Sequence, residues 1–262
     1  MRQAQSIACI IPALNEAEAI GRVVANVPSW VDRVVVADNG SSDGTGDVAR
    51  AAGAEVVFQN ERGYGAACLM AMDATSDVDI IVFLDGDNSD DPSEMGSLVD
   101  PIVSDQSDFV LGSRVRGERE VGSLTPQQIF GNWLATRLIA LIWREHFTDL
   151  GPFRAIRRAS LDQLHMADRT YGWTVEMQVK AVENGLRIQE VPVSYKNRIG
   201  VSKVSGTLKG TVLAGYKILS IIGRHAMRRV TKGSAHVRSR LPSATVTLEK
   251  QTPRKRASNS AS

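Results

Sequence analysis

Ile80-Ile81-Val82-Phe83-Leu84-Asp85-Gly86-Asp87-Asn88-Ser89 sets five apolar residues directly against two carboxylates one residue apart. The apolar run has the length and branching of a buried strand, so the acidic turn falls where that strand ends. Two carboxylates at this spacing repel in a low dielectric unless a positive charge joins them, and a divalent cation meets that need. Hard oxygen ligands favour magnesium or manganese. A cation held by one or two carboxylates commonly completes its shell with phosphate oxygens, which points to a nucleoside diphosphate. The competing reading is structural: an acidic turn followed by Asp90-Asp91-Pro92 caps the next helix.

Around this run, short β-branched stretches alternate with helical periodicity. Strands are expected over 7–11, 33–37, 55–58, 80–84 and 109–112, and helices over 16–27, 44–52, 64–75 and 93–103. That alternation predicts an α/β fold, a mostly parallel, Rossmann-like sheet flanked by helices, with ligands at the carboxyl ends of its strands. The second half changes character: a helix over 127–145, a strand pair at 153–157 and 187–193, and helices over 174–183 and 207–224. One domain over 1–206, an amphipathic helix over 207–230 and a disordered basic tail over 231–262 are expected.

Composition sets the outer bounds. The 262 residues are 43% hydrophobic and 23% charged, which excludes a disordered or fibrous chain. The net charge of +2 divides unevenly, since the first 223 residues hold 21 basic against 28 acidic side chains and the last 39 hold 10 against 1. A basic tail on an acidic body suggests an anionic surface as partner. Cys9 and Cys68 stand alone in apolar contexts and predict no disulfide. The apolar stretch ending at Pro12 is short for a signal peptide, and no run reaches the roughly 20 apolar residues of a membrane span. A cytoplasmic protein, peripheral at the inner face of the membrane, is expected.

Two further strand-end loops are as polar as the first: Pro12-Ala13-Leu14-Asn15-Glu16, and Asp38-Asn39-Gly40-Ser41-Ser42-Asp43-Gly44-Thr45. Together with Asp85-Gly86-Asp87, in this order, they resemble the inverting glycosyltransferases of family 2, which have a GT-A fold. Within that family the polyprenyl-phosphate (dolichyl-phosphate) hexosyltransferases are resembled. The matching stretches are Gly112-Ser113-Arg114, Asp149-Leu150-Gly151-Pro152-Phe153-Arg154, Gly172-Trp173-Thr174-Val175-Glu176-Met177 and Arg198-Ile199-Gly200-Val201-Ser202-Lys203.

The resemblance implies metal-dependent transfer of a hexose from a nucleotide sugar, UDP-glucose or else GDP-mannose, to a lipid phosphate, with Mg2+ or Mn2+ as cofactor. It implies that Pro12, Leu14, Asn15 and Glu16 line the nucleoside, that Asp38 contacts the base, and that Asp85, Gly86 and Asp87 hold the diphosphate through the metal. Arg114, Arg198, Ser202 and Lys203 would face phosphates. Where relatives often place Gln two positions after the second Asp, as a further metal-side ligand, this chain has Ser89, so the resemblance implies that its hydroxyl, or else a water, substitutes. A family 2 enzyme with another lipid or carbohydrate acceptor is the alternative.

Inverting transfer leaves negative charge on the departing diphosphate, which a metal and nearby cations stabilise, so Asp87 and Arg114 are expected to be catalytic. A lipid monophosphate has a second pKa near about 6 and is already ionised at neutral pH, so it needs no strong base. None of His146, His165, His225 and His236 has the spacing of a catalytic or metal-binding histidine. If the acceptor is a hydroxyl, Glu176 is the candidate base; otherwise it is a surface carboxylate on a helix. Arg114, Arg116 and Arg119 surround Gly117 in a stretch read as a mobile loop closing over an anionic substrate.

The helix from 207 carries Leu208, Val212, Leu213, Tyr216, Leu219, Ile222 and Gly223 along one side, with cations elsewhere. That is an interfacial pattern for peripheral membrane contact, or else a stripe packed on the protein's own sheet. An oligomer is compatible with the sequence. Gly63-Tyr64-Gly65-Ala66-Ala67-Cys68 has the position of a dinucleotide loop but lacks the third glycine. A nucleic-acid-binding protein is the non-enzymatic rival, and against it the basic tail holds no aromatic residue for base stacking.

Overall fold

In the computed structural model, which describes residues 4–200 and 208–238, the chain opens with three strand–helix units. These are β1 (Ile7–Ala13), α1 (Ala17–Ala25), β2 (Arg33–Asp38), α2 (Thr45–Ala51), β3 (Glu55–Phe58) and α3 (Tyr64–Ala74). Then come β4 (Ile80–Phe83), a 3-10 turn (Pro92–Glu94), α4 (Met95–Val103), β5 (Phe109–Ser113) and α5 (Pro126–Trp143). β6 (Arg154–Arg157), α6 (Arg158–Leu164), α7 (Trp173–Glu183), β7 (Ile188–Pro192) and α8 (Leu208–Arg238) complete it.

The strands form one sheet in the order β3-β2-β1-β4-β6-β5-β7. β1 lies parallel to β2 and β4, with Ala13 opposite Asp38 and Ile10 opposite Phe83, so three carboxyl ends reach the same edge. β6 runs antiparallel to both β4 and β5. The expected pairing of 153–157 with 187–193 does not occur: β5 lies between them, with Phe109 opposite Ile156 on one side and Ile188 on the other. Pairing partners far apart in sequence leave no local trace in either strand, whereas the apolar pattern marks each strand by itself.

Alternation along β1 fills both faces of the sheet. Ile7, Cys9 and Ile11 meet Ile20 and Val23 of α1 and Leu98 and Ile102 of α4, while Ala8 and Ile10 share a core with α3, α5 and α7. α5 starts cleanly because Thr125 and Gln128 form a reciprocal capping box ahead of Pro126.

α8 divides the stripe expected of it. Ile221 and Ile222 are buried in the core, whereas Val212, Leu213, Tyr216 and Leu219 are exposed. The helix continues through Arg238, eight residues past its expected end and into the stretch read as a disordered tail. The described residues divide into two units after Ala226, and 239–262, most of the expected basic tail, lie outside them. Among the described residues, no helix is long and apolar enough to cross a membrane.

Candidate active site

The loops after β1 and β2 fold against each other. Asn15 donates its backbone N–H to Ser41 Oγ at 2.9 Å and accepts from the Ser42 N–H at 2.8 Å, and Glu16 donates its N–H to Thr45 Oγ1 at 2.9 Å. This lacing exposes Pro12, Leu14 and Glu16 to a cavity of about 1080 Å³ that also takes in Asp85, Gly86, Asp87, Arg114 and Arg198. Asn15 and Asp38 lie behind it. Asp38 is buried and accepts the Ser41 N–H at 2.8 Å, which makes it the pivot of its own turn. Ser202 and Lys203 lie outside the described residues.

The acidic turn is built in layers. Ser89, fully buried, donates its backbone N–H and hydroxyl to Asp87 Oδ1 at 2.9 and 2.5 Å, so it supports Asp87 from behind and does not line the cavity. Arg198 Nη2 stands 2.9 Å from Asp87 Oδ2 and 3.3 Å from Glu16 Oε1. Tyr64 donates its hydroxyl to Asp85 Oδ1 at 3.1 Å. Burial and the neighbouring Asp87 charge push Asp85 up to about 7. Behind them Asp90 is 2% exposed, and among the described residues neither of its carboxylate oxygens has a hydrogen-bond partner.

This donor set fits a divalent cation. The carboxylate oxygens of Asp85 and Asp87 are hard ligands that line the cavity, and burial together with the neighbouring Asp87 charge disfavours the charged form of Asp85 unless a cation joins it. Among the described residues no three acidic, histidine or cysteine side chains converge on a metal position, so phosphate oxygens would supply much of the shell.

Arg114 faces the cavity from a clamp. Asp149, 1% exposed, accepts from its Nε at 2.8 Å, its Nη2 at 2.7 Å and its backbone N–H at 2.8 Å, and the guanidinium lies 4.9 Å over the Tyr195 ring. Burial pushes the Asp149 carboxyl up, and Arg114 overcomes this and holds it below the ordinary value. Glu190 of β7 fixes the clamp in turn, accepting the N–H groups of Thr148 and Asp149. The stretch after Arg114 is tied down: Gly117 N–H bonds Ser113 O, Glu120 N–H bonds Tyr195 O, and Arg116 Nη1 bonds Glu190 O.

Below this layer Arg154 is fully buried, without a carboxylate partner among the described residues, donating to the carbonyls of Thr174, Leu150 and Gly151, and burial lowers it to about 10. Glu176 fits neither reading made of it. It is buried on α7, accepts the N–H groups of Ala167 and Asp168, and pairs with Lys180 at 2.8 Å, away from the cavity. His225 is likewise structural, 2.8 Å from Glu183.

Gly63 and Gly65 have a packing reason, because a Cβ at either position would strike the carbonyl oxygens of Arg169 or Asp168. They seat α3 against that loop; no dinucleotide motif is needed to account for them. Tyr64, Asp149, Tyr195 and Arg154 carry much of the site, and the sequence reading assigns none of them a role, although Asp149 and Arg154 end one of the stretches that carry the resemblance. Asp149 and Arg154 had a signal, as charged residues bracketing the otherwise apolar Leu150-Gly151-Pro152-Phe153.

A mixed, mostly parallel sheet whose strand ends gather an acidic pair and two arginines over a cleft has the architecture of a glycosyltransferase of the GT-A kind. The chain belongs to glycosyl transferase family 2, whose model matches residues 8–164. A glycosyltransferase of Mycobacterium tuberculosis is 34% identical over 217 residues, covering 80% of this chain and 94% of that relative. A dolichyl-phosphate hexose transferase of Haloferax volcanii is 30% identical over 227 residues, covering 85% and 96%. Among solved structures, glucosyl-3-phosphoglycerate synthase from Mycobacterium tuberculosis, in complex with Mn2+, UDP and glucosyl-3-phosphoglycerate, superposes with a TM-score of 0.68 at 25% identity, covering 84% of this chain and 81% of that one. Family membership makes the chain an enzyme, which displaces the non-enzymatic reading.

Proposed function

We propose that the protein transfers a hexose, with inversion, from a nucleotide sugar to a polyprenyl or dolichyl phosphate at the cytosolic face of a membrane, with UDP-glucose as the first candidate donor and GDP-mannose as the second. One observation carries this reading. One cavity is lined both by the charged Asp85, Asp87, Arg114 and Arg198 and by the apolar Phe130, Leu134, Ile218 and Leu219 of α5 and α8. A substrate with a phosphate head and an apolar tail matches such a lining. The relative named for dolichyl phosphate supports the same acceptor class.

Asp85 and Asp87 would hold Mg2+ or Mn2+, which when bound supplies positive charge against the diphosphate leaving group. Pro12, Leu14 and Glu16 bound the space for the nucleoside. Arg198 and Arg114 set guanidinium groups where phosphate oxygens arrive, and the Asp149 clamp holds Arg114 in place before substrate binds. No general base is required, since a phosphate acceptor is ionised near neutral pH. Glu176 is spent on backbone N–H groups, in keeping with that.

Exposed Phe130 and Trp133 of α5 and Val212 and Tyr216 of α8 would rest on the membrane surface beside the cavity mouth. Basic residues beyond them add on the order of 1 kcal/mol each toward anionic lipid. The test is a panel of labelled nucleotide sugars offered with polyprenyl phosphate and Mn2+ or Mg2+, followed by organic extraction. Label from one hexose donor is expected in the lipid phase; label found only in a water-soluble carbohydrate would overturn the acceptor assignment.

A further inference from the structure

We infer that Arg198 is an exchangeable counter-ion: without donor its guanidinium fills the cation position at Asp87, so the site takes its divalent metal together with a nucleotide diphosphate and not alone. This rests on the metal-dependent reading above and adds a binding order to it. Both oxygens of Asp87 are already engaged. Oδ1 accepts two hydrogen bonds from Ser89, at 2.9 and 2.5 Å, and Oδ2 pairs with Arg198 Nη2 at 2.9 Å. Ser89 is fully buried and cannot move aside cheaply, whereas the Arg198 side chain is about a third exposed and lines the cavity. A cation reaching Asp87 therefore displaces Arg198.

The backbone around Arg198 is fixed to the acidic turn. Ile199 donates its N–H to Asp87 O at 2.9 Å, Lys196 donates its N–H to Ser89 O at 2.8 Å, and Lys196 Nζ pairs with Asp91 at 2.7 Å. Only the side chain has to swing, and among the described residues its buried Nε has no hydrogen-bond partner. A bare cation would leave the guanidinium beside a second positive charge with no new acceptor. A metal diphosphate brings anionic oxygens that a guanidinium takes in a two-pronged bond. Metal and nucleotide thus strengthen each other's binding, and by linkage the effect is reciprocal.

The test titrates Mn2+ alone, read by electron paramagnetic resonance of the free ion, and then repeats it with saturating UDP. Wild type is expected to bind Mn2+ weakly alone and more tightly with UDP. Arg198→Gln is expected to bind Mn2+ alone about three- to tenfold more tightly than wild type, and to gain less from UDP. Arg198→Lys, which keeps the charge, is expected to bind it as weakly as wild type. Arg198→Gln binding Mn2+ alone no more tightly than wild type, or Arg198→Lys binding as tightly as Arg198→Gln, would overturn the exchange. Asp87→Asn that retains full Mn2+ affinity in the presence of UDP would instead overturn the metal reading beneath it.

Discussion

Asp149 holds Arg114 at three points, accepting from Nε and the backbone N–H through Oδ2 at 2.8 Å each and from Nη2 through Oδ1 at 2.7 Å. The clamp joins the end of β5 to the loop before β6, so the antiparallel insertion in the sheet is what brings the second cation to the cavity. Removing one partner of a buried pair strands the other, at about 3–5 kcal/mol. Asp149→Ala is expected to lose stability in that range in urea unfolding. Asp149→Ala combined with Arg114→Met is expected to recover part of it.

The same pair sets an acid limb. Because the folded Asp149 carboxyl titrates below its ordinary value, the unfolded chain takes up the proton first as pH falls. Its stabilisation is complete above the usual carboxylate range, about 4, and is lost as pH drops through the lower folded value. Asp108 and Asp105, held low by hydrogen bonds from Arg187, act in the same direction. Unfolding midpoints between pH 7 and about 3 are expected to fall more steeply for wild type than for Asp149→Asn.

Tyr64 bears on donor binding through Asp85. Tyr64→Phe removes the hydroxyl that meets Asp85 Oδ1 at 3.1 Å and leaves the ring in place. The loss is that of one charge-assisted hydrogen bond, so the donor KM is expected to rise about three- to tenfold with a thermal midpoint close to wild type. A midpoint drop of many degrees with an unchanged KM would show that the hydroxyl serves the fold instead.

Membrane contact is testable on the exposed apolar side chains. Phe130, Trp133 and Tyr216 are more than half exposed, and each large apolar side chain moved into lipid contributes about 1.5–3 kcal/mol. Sedimentation with anionic liposomes is expected to drop at least about tenfold for Phe130→Ser with Trp133→Ser. Raised salt is expected to weaken what remains. Liposome binding unchanged by both would contradict the peripheral reading.

β1 and β4 were legible because buried parallel strands read as continuous apolar runs, and Ile80-Ile81-Val82-Phe83 does so without ambiguity. The place of β6 was not, since a four-residue strand with Arg at each end gives no hint that it separates β4 from β5. In the site, the cavity-facing carboxylates were legible because acid directly after a buried strand needs a reason. Ser89 and Asp38 have the residue type of a ligand and a different orientation: both turn inward to hold their own loops. Glu176 and Asp149 show the remaining limit. Asp149 finds Arg114 thirty-five residues away, and Glu176 turns to the backbone of the loop before its own helix as well as to Lys180 one turn on, so only the Lys180 pair could be read from spacing.

The most direct measurement compares polyprenyl phosphate with the matching polyprenol as acceptors, using labelled donor, in wild type and Asp87→Ala, with and without EDTA. Labelled lipid is expected from the phosphate alone, and only with wild-type protein and divalent metal present. Equal labelling of polyprenol, or labelled lipid that survives both Asp87→Ala and EDTA, would contradict a metal-centred transfer to a lipid phosphate.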